Sequence, residues 1–266
     1  LADVEIATGP RHWQLGDHTL RRVDRDDAIA IGVVADAANA SPRTVAALAR
    51  LRAELEHATP DVVLALGGMG STQAELEATL GTLGEGAPWP VVALPGDLEP
   101  MPAQVAAIAA LRKRGATVFD GRLVRWIELP GVTIGTLPGA GARERLVAGD
   151  DGCQWTTDDV AKLYTALTAK PGVRVVASAE APRRIVAGEP AGELALAPVQ
   201  PIEVALAGPL VPSPSPARSG GRDGARVVLS PGTADASRRL PDPHEPSAGL
   251  LVIRNGMWTW RPVVAK

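Results

Sequence analysis

Residues 28–58 read AIAIGVVADAANASPRTVAALARLRAELEHA, an apolar run followed by a helical pattern. The run AIAIGVVA at 28–35 shows no alternation of apolar and polar residues, as expected of a short strand buried on both faces. After it, Pro42 stands at a helix start, and Val45, Leu48, Leu51 and Leu55 recur at three- and four-residue spacing as one apolar stripe. The pairing returns as DVVLAL then STQAELEATLGTL, and again as WPVVALP then MPAQVAAIAALRKRG, where the helix ends in Lys and Arg before Gly115. Three successive strand-helix units predict a parallel sheet covered by helices.

Past Gly115 the character changes. ATVFDG, LVRWIELP and VTIGTLP read as short strands of a meander, and a second sheet is expected to begin there. One more helix, TTDDVAKLYTALTA, opens with Thr156 or Thr157 as cap and Asp158 and Asp159 in its first turn, and leads into the strand VRVVAS. The stretch from 183 to 225, rich in Pro, Gly, Ser and Arg, reads as a long insertion loop. ARVVLSPGT and AGLLVIRNGMWTW close the chain as strands, the last a hairpin turning at Asn255-Gly256. Residues 1–27 are expected to add edge strands or to pack across the domain, and residues 1–266 read as a single domain.

Composition narrows the function classes. A length of 266 residues, 45% of them hydrophobic, supports a sizeable packed core. A net charge of -3 without a basic block gives no electrostatic footprint for nucleic acid. No apolar run reaches membrane-spanning length, so no direct span is expected. A single cysteine, Cys153, leaves no partner for an internal disulfide and no thiolate cage, and a buried thiol is the plain reading. Arginine supplies 23 of the 27 basic residues, and Ala, Gly and Pro abound, the coding bias of a GC-rich bacterium. The sequence begins at Leu1 rather than Met, which fits either a processed mature protein or a trimmed chain, and periplasm or cell envelope is favoured over cytoplasm.

Five segments carry the functional reading: VVADAANA around Asp36, LALGGMGS around Gly68, VALPGDLEP around Asp97, VVASAEAP around Ala179 and VALAGPLVP around Pro209. Their order and local form resemble the five ligand motifs of the calcineurin-like metallophosphoesterases, over roughly residues 28–264. The resemblance implies a four-layer α-β-β-α sandwich, two mixed sheets flanked by helices, with a two-metal centre at the carboxyl ends of the strands. It also implies a ligand set, Asp-x-His, Gly-Asp, Gly-Asn-His-Asp/Glu, a strand-end His and Gly-His-x-His. Against that set, Asp36 keeps its carboxylate while Ala38 stands for the imidazole, and Gly68 stands for the carboxylate that bridges the metals. Asp97 replaces the amide ligand, Leu98 the leaving-group His, with Glu99 after it. Ala179 occupies the fourth position, and Pro209 and Val211 the two imidazoles of the fifth.

Two divalent ions held a few ångströms apart need several fixed anionic or imidazole donors, and Ala, Leu, Pro, Val and Gly side chains supply none. The four histidines, His12, His18, His57 and His244, all lie away from the motif positions. A catalytically inactive protein follows, without a cofactor, retained as a structural or interaction subunit with a protein partner, in a multi-subunit and cell-envelope assembly of a bacterium. A phosphoesterase using an atypical carboxylate site, and a sensor that binds nucleotide or phosphate without hydrolysis, are the alternatives. For the former, Asp36, Asp97, Glu99 and Glu180 would converge on one hard ion. Otherwise Asp36 caps the helix or bonds loop amides, and Asp97 and Glu99 occupy the loop and first turn before MPAQVAAI.

Other features have plainer readings. GGMGS at 67–71 has the form of a phosphate-binding turn but lacks the Walker lysine, and close backbone packing explains its glycines. PGAGARER at 138–145 reads as a flexible loop, and neither Ser178 nor Ser230 has a neighbouring His to activate it. Trp258 and Trp260 alternate on the last strand, so both rings share one side, expected to pack under a helix layer or the N-terminal segment unless exposed with Trp13 as a contact patch.

Overall fold

The structure, a computed structural model, describes residues 3–24, 28–141, 143–180, 184–186, 189–191, 204–208, 215–218, 227–237 and 245–265. The chain opens with three antiparallel strands, β1 (Val4–Thr8), β2 (Arg11–Gly16) and β3 (Thr19–Arg22). Three strand-helix units follow: β4 (Ala28–Val34) with α1 (Pro42–Ala58), β5 (Val62–Leu66) with α2 (Gln73–Gly84), and β6 (Val91–Leu94) with α3 (Met101–Lys113). After β7 (Val118–Asp120) come β8 (Trp126–Leu129), β9 (Val132–Leu137), α4 (Thr157–Thr168) and β10 (Val173–Ser178). A hairpin of β11 (Arg184–Val186) and β12 (Glu189–Ala191) precedes β13 (Val204–Ala207), β14 (Ser215–Arg218) and β15 (Val227–Ser230), and the long hairpin β16 (Ser247–Arg254) and β17 (Met257–Val264) ends the fold.

Apart from the two-stranded β11-β12 hairpin, these strands build two mixed sheets. One has the order β17-β16-β4-β5-β6-β7, with β4 to β7 parallel and β16 antiparallel to β4. The other runs β1-β2-β3-β8-β9-β10-β13-β15-β14, with β9, β10, β13 and β15 parallel. Apolar side chains of both inner faces, among them Ile31, Leu64, Leu94, Ile134, Val175 and Leu206, form the central core. Helices α1 to α3 cover the outer face of the six-stranded sheet through Leu48, Leu80 and Leu111, and α4 covers the other sheet through Val160, Leu163 and Leu167. The molecule is therefore a sandwich of helix, sheet, sheet and helix layers, whose inner strands are apolar throughout because both faces are buried. Among the described residues no helix is long and apolar enough to cross a membrane.

Local signals account for most element boundaries. Ser41, not Asp36, caps α1 by accepting the Thr44 amide at 3.2 Å, and Thr44, rather than half-buried Val45, points inward. Thr72 with Glu75 and Thr156 with Asp159 form reciprocal capping boxes at the starts of α2 and α4. Asn255 and Gly256 both take positive φ, 52° and 74°, the turn that a two-residue hairpin requires.

Several sequence expectations are corrected. The strand in ATVFDG belongs to the first sheet, because Val118–Asp120 pairs parallel with β6, and the second sheet takes up the chain only at β8. Among the described residues of 183–225 there are four strands, and β13 among them is central to its sheet, because its apolar Val204–Ala207 is buried on both sides. Trp258 and Trp260 pack not beneath a helix but on the inter-sheet core, which also takes in Trp13 and Leu20 of the N-terminal segment, and Trp13, 1% exposed, lies within that core rather than on a contact patch. Within the N-terminal segment, residues 3–24 enter as sheet edge, and Asp61 locks them: its carboxylate pairs with Arg11 at 2.5 Å and Arg22 at 2.6 Å and accepts the Ala30 amide at 2.7 Å.

Candidate functional site

The carboxyl ends of β4, β5, β6, β10 and β13 converge, and their loops touch through backbone. Asp36 donates its amide to the Gly67 carbonyl at 2.9 Å, and Ala38 donates to Gly68 at 2.6 Å. A Cβ on Gly67 would lie 2.8 Å from the Ala179 Cβ and 2.9 Å from the Gly96 Cα, and one on Gly68 2.9 Å from the Asp36 Cα. A Cβ on Gly208 would collide with the Ala179 carbonyl. The structure thus gathers Asp36, Ala38, Gly68, Gly96, Ala179 and Gly208 at one point, at a separation that glycine alone permits. Pro209 and Val211, with the Ala181 and Pro182 that end the fourth segment, lie outside the described residues.

The four carboxylates expected to share one ion do not form a site. Among the described residues no three His, Cys, Asp or Glu side chains come together as metal-holding donors. Asp97 is exposed while Glu99 is buried, and Glu180 accepts the Gly141 amide at 2.9 Å. Glu99, 1% exposed, turns both oxygens toward backbone: one accepts the Met69 amide at 2.5 Å, the other the Gly96 amide at 2.8 Å. It precedes α3, whose cap is Pro100, so its carboxylate ties the β5 and β6 loops and leaves the helix start uncapped by a side chain. Burial pushes the Glu99 carboxyl up to about 7, against the pull of the Met69 and Gly96 amides and with a further push from Asp97. Among the described residues, a centre of two divalent ions fits neither this donor set nor the backbone contacts between the strand-end loops.

The glycine-rich turn is closed in the same way. The Met69 amide is taken by Glu99, and the amides of Ser71 and Thr72 donate to Glu75 at 2.9 and 3.2 Å. Partial burial opposes the charge of Glu75, but the hydrogen bonds from Ser71 and Thr72 outweigh it and hold the carboxyl below its usual range. Three of the amides that a phosphate would need, those of Met69, Ser71 and Thr72, are thus already answered by carboxylates of the chain. Nor is 138–141 a loose loop: the Trp155 indole donates to the Gly139 carbonyl at 3.1 Å, and its ring lies where a Gly141 side chain would stand. Cys153 is buried beneath this turn, and burial raises its thiol.

One neighbour of the site escaped the sequence reading. After β15, Thr233 donates its hydroxyl to the Asp36 carbonyl at 2.7 Å, and the Asp235 amide donates to the same oxygen at 3.0 Å. Asp235, 2% exposed, accepts from Thr44 at 3.2 Å and from Ser237 at 2.7 Å, joining this loop to the start of α1. The run PGTADAS directly after the strand VVLS was the available signal. Of the histidines, His12 pairs with Asp24 at 3.1 Å, His18 with the Leu123 carbonyl at 3.0 Å, and His57 lies in the last turn of α1, while His244 lies outside the described residues.

No family model matches the chain, and no curated protein matches it. Solved structures do. The protein TT1561 of Thermus thermophilus superposes with a TM-score of 0.61 at 12% identity, over 90% of this chain and 100% of that one. A dimetal phosphatase from Danio rerio gives 0.55 at 10% identity, over 91% and 100%. GAP50, the anchor in the inner membrane complex of Plasmodium, gives 0.56 at 7% identity, over 91% and 86%. The two helix-flanked mixed sheets and their likeness to the dimetal phosphatase give this chain the metallophosphoesterase fold.

Proposed function

We propose that this protein keeps the metallophosphoesterase scaffold without its chemistry and serves as a structural or protein-interaction subunit of a bacterial cell-envelope assembly. One observation carries the reading. At the meeting point of the strand ends, Gly67, Gly68, Gly96, Ala179 and Gly208 bring backbone to within Cβ-clash distance, and the buried carboxylate of Glu99 is spent on two amides. Among the described residues, neither a nucleophile generated on a metal nor a general acid for the leaving group has a side chain to supply it. What the fold offers instead is a rigid two-sheet body whose loops are fixed to one another. The likeness to GAP50, an anchor by its own description, is compatible with such a role.

The test combines three measurements on the full chain: metal content before and after incubation with Mn²⁺, Zn²⁺ and Mg²⁺, hydrolysis of bis(p-nitrophenyl) phosphate, and recovery of partners from native cells. Under about a tenth of an ion per chain, no hydrolysis and a stoichiometric partner are expected. Near-stoichiometric metal with hydrolysis that Asp36→Ala abolishes would overturn the reading.

A further inference from the structure

Apart from the strand-end loops, one cleft collects exposed apolar surface. Val4 and Leu15 from β1 and β2, Val105 and Ile108 from α3, Phe119 from β7 and Leu123 from the connection to β8 wall a cavity of about 500 Å³. Val4, Val105 and Leu123 are 56, 52 and 63% exposed, so half of the six large hydrophobics left exposed among the described residues stand around this one cleft. Leaving them uncovered opposes folding, and such a concentration marks a contact surface.

The cleft also carries a cation. The Arg112 guanidinium lies over the Phe119 ring, 5.8 Å from its centroid, and no carboxylate among the described residues pairs with it. Asp120, in the same wall, is committed to Arg122 through both oxygens, and Asp17 sits on the exposed β2–β3 turn. His18 fixes the wall by its contact with the Leu123 carbonyl. A concave, mostly apolar cavity within the roughly 300–1,000 Å³ of small-ligand sites, with one oriented cation, matches a small molecule better than a flat polypeptide contact. We propose that this cleft binds a small amphipathic anion, its apolar body against Val105, Ile108 and Leu123 and its carboxylate on Arg112.

Calorimetric titration with dodecanoate below its micelle concentration tests this, beside dodecyltrimethylammonium as the oppositely charged control. The wild type is expected to take up one dodecanoate per chain saturably and the cation at least tenfold more weakly. Arg112→Gln should weaken dodecanoate by about tenfold, and Leu123→Glu should abolish uptake, each with an unchanged circular dichroism spectrum, as befits exposed positions. No saturable uptake, or uptake indifferent to both substitutions, overturns the proposal. A protein partner lost in Leu123→Glu, with no dodecanoate taken up by the wild type, would overturn it in favour of a polypeptide occupant.

Discussion

The carboxylate of Glu99 accepts the backbone amide of Met69 at 2.5 Å, so a side chain leaving the end of β6 closes the loop that leaves β5. Its second oxygen holds the Gly96 amide at 2.8 Å, and burial lifts its pKa from 4.5 to about 7. A raised carboxyl pKa means that the folded state binds its proton more tightly than the unfolded chain. This contribution is neutral below pH 4.5, turns unfavourable as pH rises from 4.5 to about 7, and levels off above. At about 1.4 kcal/mol per pKa unit, the loss by pH 8 is on the order of 3 kcal/mol. Glu99→Gln does not ionise, so its stability measured by chemical denaturation between pH 5 and 8 should fall less than that of the wild type. Parallel curves would mean that Glu99 keeps an ordinary pKa.

Gly67 takes φ +72°, and a Cβ there would press on the Ala179 Cβ and the Gly96 Cα, neither of which can rotate away. Gly67→Ala therefore combines a left-handed backbone with a contact that only main-chain movement relieves. A loss of about 2–4 kcal/mol is expected, from about 1–3 for the conformation with overpacking added. Gly131→Ala, also at positive φ but open to solvent within 4 Å, should lose only the smaller part. Equal losses by thermal denaturation would remove the crowding argument.

Asp61 is 1% exposed and answers Arg11, Arg22 and the Ala30 amide together, joining the N-terminal strands to the six-stranded sheet. Breaking a buried pair from one side leaves uncompensated charge, and Asp61→Ala is expected to cost about 3–5 kcal/mol. Hydrogen exchange should show β2 and β3 losing protection first, since the ion pairs hold them. A uniform loss across both sheets would place the energy elsewhere.

The sequence made the repeated units legible because β4, β5 and β6 are buried on both faces and so read as unbroken apolar runs before amphipathic helices. What it hid depends on contacts distant along the chain. Three residues, Val118–Asp120, carry no mark of which sheet they join, and that is decided by pairing with β6. Trp258 and Trp260 were legible as sharing a face, but which layer that face meets is a property of the assembled sandwich. At the site, the absence of donors at Gly68 and Ala179 was plain in the letters. The use of Glu99 was not, since the Met69 amide lies thirty residues away in sequence. The loop of Thr233 and Asp235 bonds to Asp36 across nearly two hundred positions, a link that periodicity cannot carry.

Putting ligands back should fail for want of space as well as of donors. Gly68→Asp would set a Cβ 2.9 Å from the Asp36 Cα at a φ of +67°, and a larger side chain at Ala179 must grow from a Cβ that already bounds the Gly67 and Gly96 positions. The combined Gly68→Asp, Leu98→His and Ala179→His variant is expected to melt below the wild type and to bind Mn²⁺ no better, because each restored group first displaces a backbone contact such as that of Ala38 with Gly68. Metal analysis and thermal denaturation on the same preparation separate the two causes. A stable variant without metal would leave the missing fifth-segment imidazoles as the limit, whereas stoichiometric Mn²⁺ would show that the strand ends still open wide enough for a metal centre.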